Sequence, residues 1–158
     1  MPKSQTDITA KKSGLKITVF FSSGLRKDLA GGLSAATIER VALLFLLHHG
    51  IKSATLSLVF VTGPAIRKIN KTHLGHDHVT DIITFDFGDD KAHCIDGELV
   101  ICLTEAVRNA RIFGEPVERE ILRYVAHGIL HLLGQDDATD KQRAAMRVKE
   151  DQLLELIS

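Results

Sequence analysis

The sequence predicts an α+β domain: a small, mostly four-stranded mixed sheet with about five helices packed against it. The chain has 158 residues, a length typical of one domain, and 44% of them are hydrophobic, which is enough for a sizeable core. Short apolar, β-branched runs alternate with segments of helical period, and the helices gather towards the C-terminus. We expect one domain over residues 15–158 and a flexible, polar arm over residues 1–14.

The first half of the chain alternates predicted strands and helices. Residues 17–21 are β-branched and aromatic and are followed by a Ser-Ser-Gly break, which indicates a strand. Residues 34–49 place apolar side chains at helical spacing, and Gly50 can end that helix in a left-handed conformation. Residues 55–61 form the second predicted strand, and Thr62 is a suitable cap for a short helix over residues 64–72.

The second half supplies two more strands and three helices. Residues 81–87 and 97–103 are strand-like and are separated by a turn-rich stretch at residues 88–90, so they form either a hairpin or more distant neighbours. Thr104 can cap a helix that ends near residue 113, Pro116 opens one that ends near residue 133, and a third begins after Thr139 and ends near residue 156. Thr139 and Gln142 match a capping box.

Two histidines on the second of these helices, in the C-terminal half of the chain, indicate a metal site. His127 and His131 are four residues apart, so they lie one turn apart on nearly the same face, opposite an apolar stripe. Gly134 lets the chain reverse and can bring Asp136 or Asp137 towards that face. Two imidazoles and a carboxylate form a three-ligand zinc set with a fourth position open. The alternative is that the two histidines face solvent and are followed by a solvated acidic turn, which would give the same sequence pattern.

The segment from His127 reads His-Gly-Ile-Leu-His-Leu-Leu-Gly-Gln-Asp-Asp and resembles the signature of the YbeY family of metal-dependent endoribonucleases, His-Gly-x-Leu-His-Leu-x-Gly-Tyr-Asp-His. The resemblance implies metal ligands at His127, His131 and Asp137, the last in place of the family's third histidine. It also implies a Zn²⁺-dependent endoribonuclease that cuts single-stranded ribosomal RNA, matures the 3′ end of the small-subunit RNA and acts in ribosome biogenesis. Another divalent metal is compatible with the aspartate.

A second segment, residues 70–85, resembles the family's Asn-x-x-Tyr-Arg-x-Lys-Asp-x-Pro-Thr-Asp-Val-Leu-Ser-Phe stretch. Leu74 stands where the family has an implicated arginine, and His76 stands where it has a lysine. The resemblance therefore makes His76 a candidate substrate-binding residue. Positive charge for an RNA backbone can come from local candidates, namely Arg67, Lys68, Lys71, Arg108, Arg111 and Arg123.

Two other functions remain open at this level. A zinc peptidase of metzincin type also uses His-x-x-x-His, but it places a general-base glutamate directly after the first histidine, where this chain has Gly128. A non-catalytic, metal-stabilised factor that binds the ribosome is the other alternative. Cleavage of RNA that depends on the metal separates these possibilities.

Composition limits the partners and the compartment. Twenty basic residues balance twenty acidic ones, so no global positive field indicates nucleic-acid binding, and we predict ribosomal RNA and the small subunit, not DNA, as partners. The N-terminus lacks the features of a secretory signal, and no apolar run is long enough to span a membrane. Only Cys94 and Cys102 are present, which favours buried free thiols in a reducing, cytoplasmic setting.

Overall fold

Four strands form one mixed sheet in the computed structural model, which describes residues 14–88 and 93–158. The strands are β1 (Leu15–Phe21), β2 (Ser53–Val61), β3 (Ile82–Asp86) and β4 (Cys94–Cys102), in the spatial order β1-β2-β4-β3. β1 and β4 both pair with β2 in parallel, and β3 pairs with β4 in antiparallel at one edge. The predicted mixed sheet is confirmed. Of the arm predicted over residues 1–14, residues 1–13 lie outside the described part of the chain.

Five α-helices surround the sheet in the described part of the chain, as the sequence predicts. They are α1 (Ala35–His48), α2 (Gly63–Leu74), α3 (Leu103–Phe113), α4 (Val117–Leu132) and α5 (Asp140–Glu155), with a short 3-10 turn over Lys27–Ala30. Thr62 caps α2, and Thr139 with Gln142 forms the predicted capping box at α5. The predicted cap at Thr104 is wrong, because α3 already begins at Leu103.

The boundaries of β4 differ from those predicted. The strand begins at Cys94 because its first residues pair with the start of β2, from Ser53↔Cys94 onwards. Ile82 pairs with Ile101, so β3 and β4 are direct antiparallel neighbours. The predicted turn between them includes residues 89 and 90, which lie outside the described residues.

Both faces of the sheet are buried, which explains why its strands are long apolar runs. The main core lies on the face covered by α1 and α4 and includes Phe45, Leu58, Phe60, Ile121 and Val125. A smaller core lies on the other face, beneath α2, and includes Val61, Ile66, Ile83, Val100 and Cys102. None of the helices in the described segments is both long enough and apolar enough to cross a membrane.

Helix α4 lies inside the molecule and not on its surface. Its predicted apolar stripe is buried at Ile121, Val125 and Ile129, but Glu120 and Tyr124 on the histidine side are buried too. The sequence pattern indicates a polar, accessible face there; in the structure α3, α5 and β3 also pack around α4. The two histidines therefore line a cleft. Of the two cysteines, both free thiols, Cys102 is buried as expected, whereas Cys94 is exposed.

Candidate metal centre

Helix α4 holds His127 and His131 with their rings facing one another. The two Nε2 atoms lie 2.9 Å apart and the ring centroids 4.5 Å apart. Both side chains are about three-quarters buried. Because successive turns of one helix carry them, their relative position depends on the backbone of α4 and not on a loop.

The turn after α4 brings Asp137 to the histidines. Gly134 adopts a φ of 90°, which an L side chain rarely tolerates, and the Gln135 N–H donates to the Leu130 carbonyl at 3.0 Å. The chain thereby reverses, and Asp137 Oδ2 lies 3.4 Å from each Nε2 atom. The neighbouring Asp136 is exposed.

The far end of this turn is also fixed. Arg143 donates to the backbone carbonyls of Asp137 and Ala138 at 3.2 and 3.0 Å. Thr139 and Gln142 exchange the reciprocal bonds of the capping box, which sets the first turn of α5. The position of Asp137 is therefore set from both sides, by the end of α4 and by the start of α5.

The donor atoms fit a small divalent cation. His127, His131 and Asp137 offer ligand atoms that all lie within 4.8 Å of one another. With metal–ligand distances of about 2.0–2.2 Å, tetrahedral zinc places neighbouring donors roughly 3.3–3.5 Å apart. The observed separations of 2.9, 3.4 and 3.4 Å need only a small side-chain adjustment to match that geometry. Three protein ligands leave a fourth position open, the arrangement of catalytic and not of structural zinc sites.

A buried carboxylate orients the first histidine. Nδ1 of His127 donates to Glu150 Oε2 at 2.7 Å, so Nε2 is left to face the cluster. Arg123 donates to the other oxygen of Glu150 at 3.3 Å and also pairs with Asp151 at 2.8 Å. The side chains of Arg123 and Glu150 are each only 7% exposed, so this ion pair joins α4 to α5 inside the molecule.

These neighbours shift the pKa of His127. Burial lowers the pKa of the imidazole, but the hydrogen bond and the charge of Glu150, with the charges of Asp137 and Asp81, outweigh it, and the net pKa is raised. The cluster thus has a negative field that favours a cation, whether a proton or a metal ion.

The residue after the first histidine faces away from the cluster. A Cβ atom at Gly128 would lie 2.6 Å from Leu99 Cδ2 and 2.9 Å from Ile82 Cδ1. Gly128 is therefore packed against β3 and β4, and no carboxylate at this position could reach the histidines. The general base that a metzincin-type peptidase places there has no room in this fold.

A groove runs from the cluster along β3. It has a volume of about 450 Å³ and is lined by the strand residues Thr84 and Asp86, by Asp81, and by the half-exposed Leu74. Asp81 Oδ1 accepts from the Ile82 N–H at 2.8 Å, so this carboxylate caps the strand and also borders the cleft.

The other sequence candidates lie apart from the cluster or are already paired. His76 is exposed after α2, with its ring 5.7 Å from that of His78. Arg67 and Lys71 pair with Asp77 at 2.8 and 3.7 Å. Arg123, proposed from sequence as an exposed contact to RNA, is buried in the ion pair with Glu150, so that interpretation is wrong.

Sequence reasoning missed the role of Glu150. The available signal was a carboxylate within an apolar stripe, because Glu150 follows Met146 by four residues and precedes Leu154 by four. An acidic residue at a core position of a helix indicates a buried partner, here Arg123 and His127.

Comparisons with known proteins agree on one family. The family model described as Endoribonuclease YbeY matches residues 32–158. The chain is 37% identical over 125 residues to Endoribonuclease YbeY of Chlorobium phaeovibrioides, covering 79% of this chain and 83% of that protein. It is 42% identical over 101 residues to Endoribonuclease YbeY of Elusimicrobium minutum, covering 60% and 68%. The solution structure of TM1509 from Thermotoga maritima superposes with a TM-score of 0.62 at 27% identity, covering 88% and 87%.

Proposed function

The chain belongs to the Endoribonuclease YbeY family, and on that premise we propose that His127, His131 and Asp137 hold the metal ion of its nuclease site. As a member of this family the protein is a metal-dependent endoribonuclease that acts in ribosomal RNA processing. The observation that carries the assignment of the site is the convergence of two Nε2 atoms and one carboxylate oxygen within 3.4 Å of one another.

Zinc is the metal that we propose, at one ion per chain. The donor spacing suits a four-coordinate ion, and two imidazoles favour zinc over the harder magnesium or calcium. The third ligand, an aspartate, is harder than histidine and adds a negative charge, so manganese is the first competitor to test. A divalent metal held here would supply Lewis acidity at the scissile phosphodiester.

Two contacts within the protein orient the proposed metal ligands. Glu150 keeps Nε2 of His127 directed at the cluster, and Arg143 fixes the backbone of Asp137. The groove along β3 can accept a single RNA strand, but Leu74 brings no positive charge to it at the position where the family has arginine. The proposed substrate is therefore single-stranded ribosomal RNA near the 3′ end of the small-subunit RNA, bound on the ribosome or its precursor in the cytoplasm.

The peptidase alternative is not favoured. Gly128 faces the sheet, and the nearest candidate base on the same helix, Glu120, lies about two turns from His127. The non-catalytic alternative is not favoured either, because the relatives that match most of this chain are endoribonucleases.

The test uses purified protein and a single-stranded RNA that carries the 3′ end of the small-subunit precursor. We expect about one zinc per chain by elemental analysis, cleavage that a chelator abolishes, and loss of both in His131→Ala. His48→Ala, an exposed histidine at the end of α1, is the matched control and should retain zinc and cleavage. Cleavage by His131→Ala at the wild-type rate would overturn the assignment.

A further inference from the structure

A recess beside the candidate metal centre shares Asp81, His127 and Asp137 with the groove along β3 and continues from them between α3 and α5. It has a volume of about 280 Å³, and His127 and Asp137 form part of its wall. The rest of its lining includes Asn109, Phe113, Glu120, Tyr124 and Arg147. Pockets for drug-sized ligands usually measure roughly 300–1,000 Å³, so this recess suits one small group and not a longer stretch of chain.

Glu120 is the unexplained residue in this recess. It is only 5% exposed, and no hydrogen bond to its carboxyl group is found among the described residues, although the charges of Arg123 and Arg147 act on it. Its oxygens still open into the recess, because His49 Nε2 is the only fully buried side-chain polar atom without a hydrogen bond in the described residues. Burial raises the pKa of Glu120, which is the expected effect of this desolvation. The recess therefore presents a carboxyl group that the donors of a ligand can reach.

Its other polar groups can also serve a ligand. The Asn109 side-chain amide donates to the Tyr124 hydroxyl at 2.5 Å, which leaves the tyrosine proton and the Asn109 carbonyl oxygen for further bonds. Phe113 lies at the mouth with 63% of its surface exposed and offers a ring on which a base can stack. Arg147 is exposed, and although its charge acts on Glu120 it makes no ion pair within the described segments, so it is available to a phosphate.

We propose that this recess binds one unpaired nucleobase, guanine, of the RNA strand that crosses the metal centre; this rests on the nuclease function proposed above. The Watson–Crick edge of guanine carries two adjacent donors, N1–H and the N2 amino group, which match the two oxygens of one carboxylate. Adenine and cytosine present an acceptor next to their amino donor, and uracil presents one donor between two acceptors. Glu120 thus selects the base, Phe113 stacks on it, and Arg147 contacts an adjoining phosphate.

The test follows the ring signals of Tyr124, the only tyrosine of the chain. Zinc-loaded protein carrying ¹³C-labelled tyrosine is titrated with the four nucleoside 5′-monophosphates and observed by NMR. We expect GMP to shift the Tyr124 signals with an affinity at least about fivefold higher than that of AMP, CMP or UMP, in line with roughly 1 kcal/mol or more per well-made contact. Equal affinities, or no shift with GMP, would overturn the proposal.

Two variants identify the groups responsible. Glu120→Gln should abolish the preference for GMP, and Glu155→Gln, the same change at an exposed position of α5, should retain it. Phe113→Ala, which alters an exposed side chain and leaves the core intact, should weaken all four nucleotides several-fold. A GMP preference that survives in a folded, zinc-loaded Glu120→Gln protein would contradict the role of this carboxylate.

The outcome is independent of RNA cleavage because a mononucleotide has no internucleotide bond to cut. GMP binding without RNA cleavage would support the recess and refute the nuclease assignment of the centre. Cleavage without any base preference at the Tyr124 signals would refute the recess alone.

Discussion

Gly128 is the position at which the smallest change should have the largest effect on packing. A methyl group added there would lie 2.6 and 2.7 Å from the two methyl carbons of Leu99 and 2.9 Å from Ile82 Cδ1. Leu99 is fully buried in β4, so its side chain cannot turn outwards into solvent to make room. We therefore expect Gly128→Ala to push α4 away from the sheet.

The expected loss of stability follows from two opposing terms. Overpacking a core costs typically about 1–3 kcal/mol, and three contacts below 3.0 Å place this site in the upper part of that range. Alanine in a helix interior is favoured over glycine by about 1 kcal/mol. The net decrease in the free energy of unfolding is therefore about 1–2 kcal/mol.

Urea unfolding followed by circular dichroism measures this loss. The midpoint should fall while the slope with denaturant stays constant, since the surface exposed on unfolding is unchanged. Gly63→Ala is the matched control: its new Cβ would meet neighbours only at 3.7 Å or more, and its stability should change by less than about 0.5 kcal/mol. A Gly128→Ala protein as stable as the wild type would refute the packing argument.

Two further variants test contacts around the site and at the 3-10 turn. Glu150→Gln should weaken zinc binding about 10- to 100-fold in a competition titration with a chelating dye, because the charge that orients and polarises His127 is lost. Asp151→Asn is the control and should have a smaller effect. Equal effects of the two substitutions would contradict the orienting role of Glu150. Glu118 accepts from the Gly32 N–H at 2.9 Å, which lowers its pKa, so its contribution to stability exists above the unfolded pKa and is lost as the pH falls through the lower, folded pKa. The melting temperature of Glu118→Gln should therefore lie below that of the wild type at pH 6 and approach it at pH 3, and a difference independent of pH would argue against this titration.

The elements that the sequence predicts well are those governed by local chemistry. The capping box at Thr139 and Gln142, the glycine after α4 and the β-branched strands all depend on near neighbours, and all are present. The start of β4 at Cys94 was missed because it depends on pairing with β2, some 40 residues earlier in the chain. Pairing between distant strands leaves little trace in local sequence.

In the candidate site, too, local features could be predicted and long-range packing could not. The spacing of His127 and His131 follows from helix geometry, and the motif that continues to Asp137 identifies the turn. The burial of α4 on its histidine side could not be predicted, because a helix with one apolar stripe is ordinarily exposed on the other side. That side is covered through contacts such as the Arg123–Glu150 ion pair, which involve charged residues and so do not register as a core pattern.

The turn between α4 and α5 makes the site sensitive to changes in loop length and tolerant of a change in the ligand side chain. Its backbone is anchored by Gly134 at one end and by Arg143 and the capping box at the other, so inserting or deleting one residue would move the third ligand out of reach. Exchanging the side chain at position 137 leaves that backbone untouched. The turn thus ties the reach of the third ligand to its length, whereas the identity of that ligand can change without disturbing the architecture around it.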